Sequence, residues 1–228
     1  MRRDALRRLA ARIAAVALGR PVRVAIDGRT ASGKTTLAAE LGEAVAALGR
    51  PVIRTSIDGF HRPRAERYAR GRLSAEGYYH DGRDLAAVRR LLLDPLGPGG
   101  DRRYRTLAFD LVRDEPVDQA PMEAAEDAVL IVDGTFLQRP ELRDAWDLVV
   151  FVAVDAQVAL ARGLARDAGP LGDQAEAVYR QRYLPAFDLY EALVDPLASA
   201  DAVVGNDDFD DPTLDFQVGG RLSGARPA

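Results

Sequence analysis

Residues 28–35 read Gly28-Arg29-Thr30-Ala31-Ser32-Gly33-Lys34-Thr35, and this octapeptide limits the fold more than any other stretch of the chain. Gly28 and Gly33 allow backbone angles closed to other residues, so that successive N–H groups can turn inward. A helix starting at the Lys-Thr pair adds the positive end of its dipole, and the two together cradle phosphate oxygens. The flanks agree with such a loop. Val22–Ile26 is a short apolar run of the kind buried on both faces of a sheet. Leu37, Ala38, Leu41, Val45 and Leu48 then share one helical face, with Gly49 and Pro51 to end the helix.

Basic residues sharpen the point. The chain holds 31 of them, and the only lysine is Lys34. Arginine serves everywhere else, so position 34 needs what arginine lacks. A compact ammonium on a slim stem can reach the β- and γ-phosphates of a nucleotide, where a planar guanidinium has the wrong shape. Gly28, Arg29, Thr30, Ala31, Ser32, Gly33, Lys34, Thr35 and Thr36 are therefore the expected nucleotide-binding residues, with the Thr35 hydroxyl a ligand for Mg²⁺. The bland alternative is a glycine-rich turn carrying a surface lysine.

A chain of 228 residues suffices for one domain. It has no cysteine, which excludes disulfides, a thiol nucleophile and cysteine-based zinc. His61 and His80 are too few for a histidine metal centre. A net charge of −4 argues against a nucleic-acid surface, and no apolar run approaches membrane-spanning length. Residues 1–20 pair an arginine-rich side with Leu6, Leu9, Ile13 and Val16 at helical spacing. A transit peptide or membrane-surface helix would look similar, but this segment runs into the first strand without a spacer. A helix docked on the domain is expected, and a cytoplasmic protein.

Further strands are expected at Val52–Ile57, Val129–Val132, Leu148–Val154 and Ala202–Val204, with extended segments at Tyr104–Val112 and Val117–Met122. Asp84 looks like the N-cap of a helix reaching Leu93. Helices are expected at Ala156–Arg166 and Gln174–Leu193, around a Gly-Pro-Leu-Gly break at 169–172. The sequence thus predicts one α/β domain over 1–206, a three-layer sandwich on a mostly parallel sheet of about five strands with a small helical lid at 166–174. Residues 207–228 are expected to form a mobile tail.

In such sheets ligands collect at the carboxyl ends of the strands. Asp133 closes the 129–132 strand and is the expected second Mg²⁺ ligand; Asp58 leaves the second strand and is the expected general base. Either could instead be a turn residue or a cap.

With Ile26–Thr36, Ser56-Ile57-Asp58-Gly59-Phe60-His61 and Val129–Phe136, the chain resembles the uridine kinase family, in the phosphoribulokinase/uridine kinase branch of P-loop kinases. The likeness spans most of residues 20–205. It implies transfer of the γ-phosphate of ATP or GTP to a primary hydroxyl, in uridine kinases the 5′-OH of uridine or cytidine. Asp58 matches the family's catalytic aspartate, and Asp133 replaces a glutamate. His61 stands where a tyrosine usually helps hold the nucleoside. Asp81, in Tyr79-His80-Asp81, matches the ribose-binding aspartate, with Asp84 as second choice. Tyr104 lies where the family packs an aromatic near the base. Ala200–Val204 resembles its element near the adenine. Arg162 and Arg166 match the lid arginines that meet the phosphates. The short lid and Val178-Tyr179, where Gln-Tyr is expected, depart from the pattern. Pantothenate, a sugar or a sugar phosphate remain alternative acceptors, and Arg62–Arg72 could seat an anionic one or be a solvated face. A non-catalytic nucleotide-binding module is the competing class. The expected partner is a small molecule, not nucleic acid or membrane; self-association is left open.

Overall fold

A computed structural model of the chain describes residues 2–223. In chain order the elements are α1 (Arg2–Ala14), β1 (Val22–Gly28), α2 (Lys34–Ala46), β2 (Val52–Ser56), α3 (Arg64–Arg67), α4 (Ala75–Asp81) and α5 (Leu85–Val88), which runs on as a π turn through Leu93. Four two-residue strands follow: β3 (Arg103–Tyr104), β4 (Phe109–Asp110), β5 (Glu115–Pro116) and β6 (Met122–Glu123). Then come β7 (Val129–Asp133), β8 (Leu148–Ala153), α6 (Ala156–Leu171), α7 (Ala175–Val178), a π turn at Tyr179–Tyr183, α8 (Leu184–Val194), β9 (Ala202–Gly205) and β10 (Thr213–Phe216).

The main sheet has the order β10-β9-β8-β1-β7-β2, with every pair parallel except β10 on β9. Period-two alternation sorts its side chains into two apolar layers. Val22, Val24, Ile26, Val129, Ile131, Val150 and Val152 pack beneath α1 and α2, meeting Leu9, Ile13, Leu37, Leu41 and Val45. Ala25, Leu130, Val132, Val149 and Phe151 face the other way, toward Phe60, Tyr79, Val88, Leu92, Phe187 and Tyr190. This is the expected three-layer α/β sandwich.

Three expectations need correction. The sheet has six strands rather than about five, because the stretch read as a tail from 207 carries β10 and buries Leu222 completely; only its last residues, 224–228, lie outside the described residues, as does Met1. The helix α6 does not stop at Arg166 but continues through Pro170 to Leu171. Proline there removes an N–H bond only from the last turn, where the chain turns at Gly172 anyway. The region of the expected extended segments Tyr104–Val112 and Val117–Met122 is extended only in part, in two short ladders, β3–β6 and β4–β5.

Candidate active site

Sheet register brings the expected polar residues to one edge. Asp133 pairs with Ile26 on one side and Ser56 on the other, so the ends of β1, β7 and β2 lie side by side. β1 runs straight into the phosphate-binding loop. Ala31, at φ 63°, and Gly33, at φ 93°, are left-handed, and Gly28 sits at φ 147°. Gly28 also passes so close to the Val152 carbonyl that a Cβ would collide with it, and a Cβ on Gly33 would strike the Asn206 amide. Asn206 Nδ2 donates to the Ser32 carbonyl (2.8 Å), tying the loop to the end of β9. The Ser32 hydroxyl is buried without a partner.

Lys34 opens α2 and is buried, its Nζ donating to the Arg29 carbonyl (2.6 Å). Burial lowers its pKa to about 8, against the pull of Asp27, Asp133 and Asp58. Thr35 Oγ1 donates to Asp133 Oδ2 (2.6 Å). Burial pushes the Asp133 carboxyl up, opposed by that hydrogen bond and by Lys34. Behind the loop, Asp27 is fully buried and accepts from the Gly28 N–H (2.8 Å), Tyr190 Oη (2.5 Å) and Gln138 Nε2 (3.1 Å).

A cleft of about 720 Å³ opens over this edge, lined in part by Thr30, Ala31, Lys34, Thr35, Asp58, His61, Asp133 and Arg166. Asp58 stands in the one-turn 3₁₀ helix after β2 and is exposed to the cleft. Desolvation raises its pKa, but Arg83, whose guanidinium is 2.5 Å away, outweighs this and holds the carboxyl below its ordinary range. His61 Nδ1 lies 2.7 Å from the Asp58 carbonyl. A carbonyl only accepts, so Nδ1 carries the proton and Nε2 is left as an acceptor. Burial, with the nearby Arg83 charge, lowers the His61 pKa to about 4, and the ring is neutral near pH 7.

The remaining expected residues are divided. Arg166 lines the cleft, its guanidinium clamped by Asp167 (2.7 Å) and touching Tyr179 Oη (3.2 Å). Arg162 does not line the cleft. It lines a second hollow with Gly33, Thr36 and Arg166, and bonds the carbonyls of Asn206 and Asp207 (both 2.7 Å). The Arg29 side chain turns to Phe187 and Glu191 on α8. Asp81 is not on the cleft either: it ends α4 paired with Arg70 (2.8 Å). Asp84 caps α5 through the Ala87 N–H (2.9 Å). Tyr104 is packed in the apolar layer and lies outside the lining. In their place stand residues that the sequence did not single out: Arg83 and the aromatics Tyr68, Tyr78 and Tyr183. The sequence marked only the basic stretch Arg62–Arg72 nearby, and a charge run does not fix which side chains turn inward.

A parallel sheet whose first strand feeds a glycine-turned loop, a lysine at the head of the next helix, and carboxylates at neighbouring strand ends define a nucleotide-binding P-loop kinase fold. Comparison with known proteins agrees. The chain belongs to the phosphoribulokinase/uridine kinase family, whose model matches residues 23–207. It is 28% identical over 199 residues to a uridine kinase of Deinococcus deserti, covering 86% of this chain and 93% of that one. A structure described as a possible uridine kinase from Bacillus stearothermophilus superposes with a TM-score of 0.68 at 26% identity, covering 88% of this chain and 97% of that one. A structure provisionally named a fructose transport system kinase, from Silicibacter sp. TM1040, also superposes at 0.68, with 27% identity and 83% and 95% coverage. No helix among the described residues is long and apolar enough to cross a membrane.

Proposed function

We propose that the chain is a kinase that moves the γ-phosphoryl group of ATP, or GTP, to a hydroxyl of a small molecule. The observation that carries this is the sharing of one cleft by Lys34, the Thr35–Asp133 pair, Asp58 and Arg166. In the reaction, a bond forms from the acceptor oxygen to the γ-phosphorus. The bridging bond to the β-phosphate breaks, ADP leaves, and the acceptor proton passes to Asp58 and then to solvent. Lys34, the loop amides and Arg166 offset the charge spread over the equatorial oxygens. Asp58, kept ionised by Arg83, orients the hydroxyl and accepts its proton late, which suits a loose transition state.

Thr35 and Asp133 suit Mg²⁺, since both offer oxygen and the buried carboxyl gains by meeting a cation. No group of three His, Cys, Asp or Glu side chains that could hold a metal ion occurs among the described residues. The ion would neutralise charge on the bridging phosphates.

The names of the relatives favour uridine as acceptor, and in that reading the 5′-OH of uridine, or of cytidine, is the nucleophile and His61 Nε2 a contact. A nucleoside would meet Tyr68, Tyr78 and Tyr183 rather than Asp81 and Tyr104. A non-catalytic module has no use for a carboxylate at position 58, which separates it from a kinase. ADP release measured with and without acceptors tests the proposal. Asp58→Asn is expected to keep ATP affinity and lose at least about a hundredfold in kcat. Lys34→Ala is expected to weaken both ATP binding and turnover. Acceptor-stimulated turnover that survives both changes would refute the assignment.

A further inference from the structure

Besides the phosphate-binding loop, the cleft is lined by arginines from two segments of the chain, Arg64, Arg67, Arg72 and Arg83 from the one and Arg182 from the other. Counting Lys34 and Arg166, seven cationic side chains line a cleft that holds two carboxylates, Asp58 and Asp133. This is a concentrated positive field in a chain of net charge −4. Two of the arginines are partnered: Arg83 with Asp58, and Arg67 with Asp114 (2.8 Å). Arg64, Arg72 and Arg182 have no salt-bridge partner among the described residues.

Arg182 is the telling one. It is 8% exposed, its Nε has no partner among the described residues, and its Nη1 donates to the Arg72 carbonyl (3.0 Å). Its guanidinium lies 4.9 Å from the ring centroids of both Tyr68 and Tyr78. Such contacts return only part of what a buried cation loses by leaving water. The Nε of Arg67, itself 5% exposed, is also buried without a partner. Both guanidinium groups line the one cleft together with Arg64, Arg72 and Arg83, and a cluster of arginines that outnumbers the carboxylates beside it suits oxygen anions. The hydrogen-bond and ring partners of the Arg182 guanidinium are Arg72, Tyr68, Tyr78 and Tyr183, none of them in the 28–35 loop that would hold the nucleotide's phosphates.

We infer that the acceptor carries its own anionic group, a phosphate monoester or a carboxylate, which seats on Arg67, Arg72 and Arg182 while its hydroxyl meets Asp58. The inference rests on the hydroxyl-kinase proposal and departs from a neutral nucleoside, which brings no charge to this wall. Charge-assisted hydrogen bonds to a fork of guanidinium groups favour the anionic acceptor by about tenfold or more.

The test measures kcat/KM by ADP release, at fixed ionic strength, for matched pairs: ribose against ribose 5-phosphate, and glycerol against glycerate, with uridine alongside. At least one anionic member is expected to exceed its neutral partner, and uridine, by tenfold or more; which pair does so tells phosphate from carboxylate. Arg182→Gln is expected to raise KM for that acceptor at least tenfold while kcat and the ATP Kd change little. Arg72→Gln, at an exposed position, is expected to raise it severalfold without a change in melting temperature. Comparable turnover of uridine and the anions overturns the inference and leaves the kinase standing. Equal losses for charged and neutral acceptors in Arg182→Gln overturn it too. ADP release that no acceptor stimulates, in a protein that binds ATP, overturns both.

Discussion

Lys34 is the residue on which the chemistry and the sequence argument converge. Its ammonium is desolvated in the folded chain, which lowers its pKa to about 8. A bound polyphosphate would restore the charge, so binding above pH 8 must be accompanied by proton uptake. The sign follows: ATP affinity is full below about 8 and falls as the pH rises through it, by up to about tenfold per unit. Calorimetric titration from pH 7 to 9.5, in two buffers of different ionisation enthalpy, checks this; a Kd that stays flat over that range contradicts it. Arg83 sets the other titration. It holds the Asp58 carboxyl low against desolvation. In Arg83→Gln the largest opposition to desolvation is lost, with Lys34 still opposing it, and the Asp58 pKa is expected to rise. A protonated Asp58 cannot accept the hydroxyl proton, so the acid limb of the pH–kcat/KM profile is expected to move to higher pH. An unmoved limb would remove Arg83 from that role.

At the scale of elements, α6 and the π turn at Tyr179–Tyr183 act as one unit. A Cβ on Gly163 would overlap the Tyr179 ring. That ring's hydroxyl donates to Asp167 (2.8 Å), which in turn clamps Arg166. Gly163→Ala is expected to cost about 1–3 kcal/mol by overpacking and to lower kcat by displacing Arg166. Gly169→Ala, six residues along the same helix, has open space at its Cβ and is expected to be neutral or mildly stabilising. Melting curves and turnover of the pair separate a packing effect from a helix-propensity effect. The elements also show what the sequence could carry. That Lys34, Asp58 and Asp133 share one cleft was legible because each sits at a strand end or helix start marked by local pattern. Tyr104 and Asp81 fall outside the cleft lining, because whether such residues reach a site depends on which way a side chain turns. An aromatic in an extended segment packs into a core as readily as against a ligand, and an aspartate ending α4 finds Arg70 before any substrate. Arg83 and Arg182 were missed for the same reason. They are two of 30 arginines, and only the packing of α4 against the Tyr179–Tyr183 turn and α8 selects them.

For the whole molecule, the catalytic edge and the far edge of the sheet have different tasks. The cleft sits over β1, β7 and β2, whereas β10 closes the sheet beyond β9. The segment after 207 is apolar where it matters: Leu222 is fully buried, and Leu214 and Phe216 pack on the layer beneath α1. Arg12 of α1 stacks on Phe216 at 3.7 Å and bonds the Leu222 carbonyl. Arg221 bonds the carbonyl of Trp146 at 3.0 Å and that of Asp147, joining the far edge to β8. Deleting residues 208–228 keeps Asn206 and Asp207, and with them the loop anchor and the Arg162 contacts. It removes one fully buried leucine, worth about 1.5–3 kcal/mol, and two half-buried side chains. It also leaves β9 as an unpaired edge. The expected result is a loss of at least about 3 kcal/mol in urea unfolding, with concentration-dependent aggregation on heating. The fraction that remains folded should bind ATP with unchanged affinity, since no loop contact is lost. A truncated chain as stable as the full one would show that the far edge carries no share of the fold. Weakened ATP binding in a stable truncated protein would show instead that β10 supports the phosphate loop through β9.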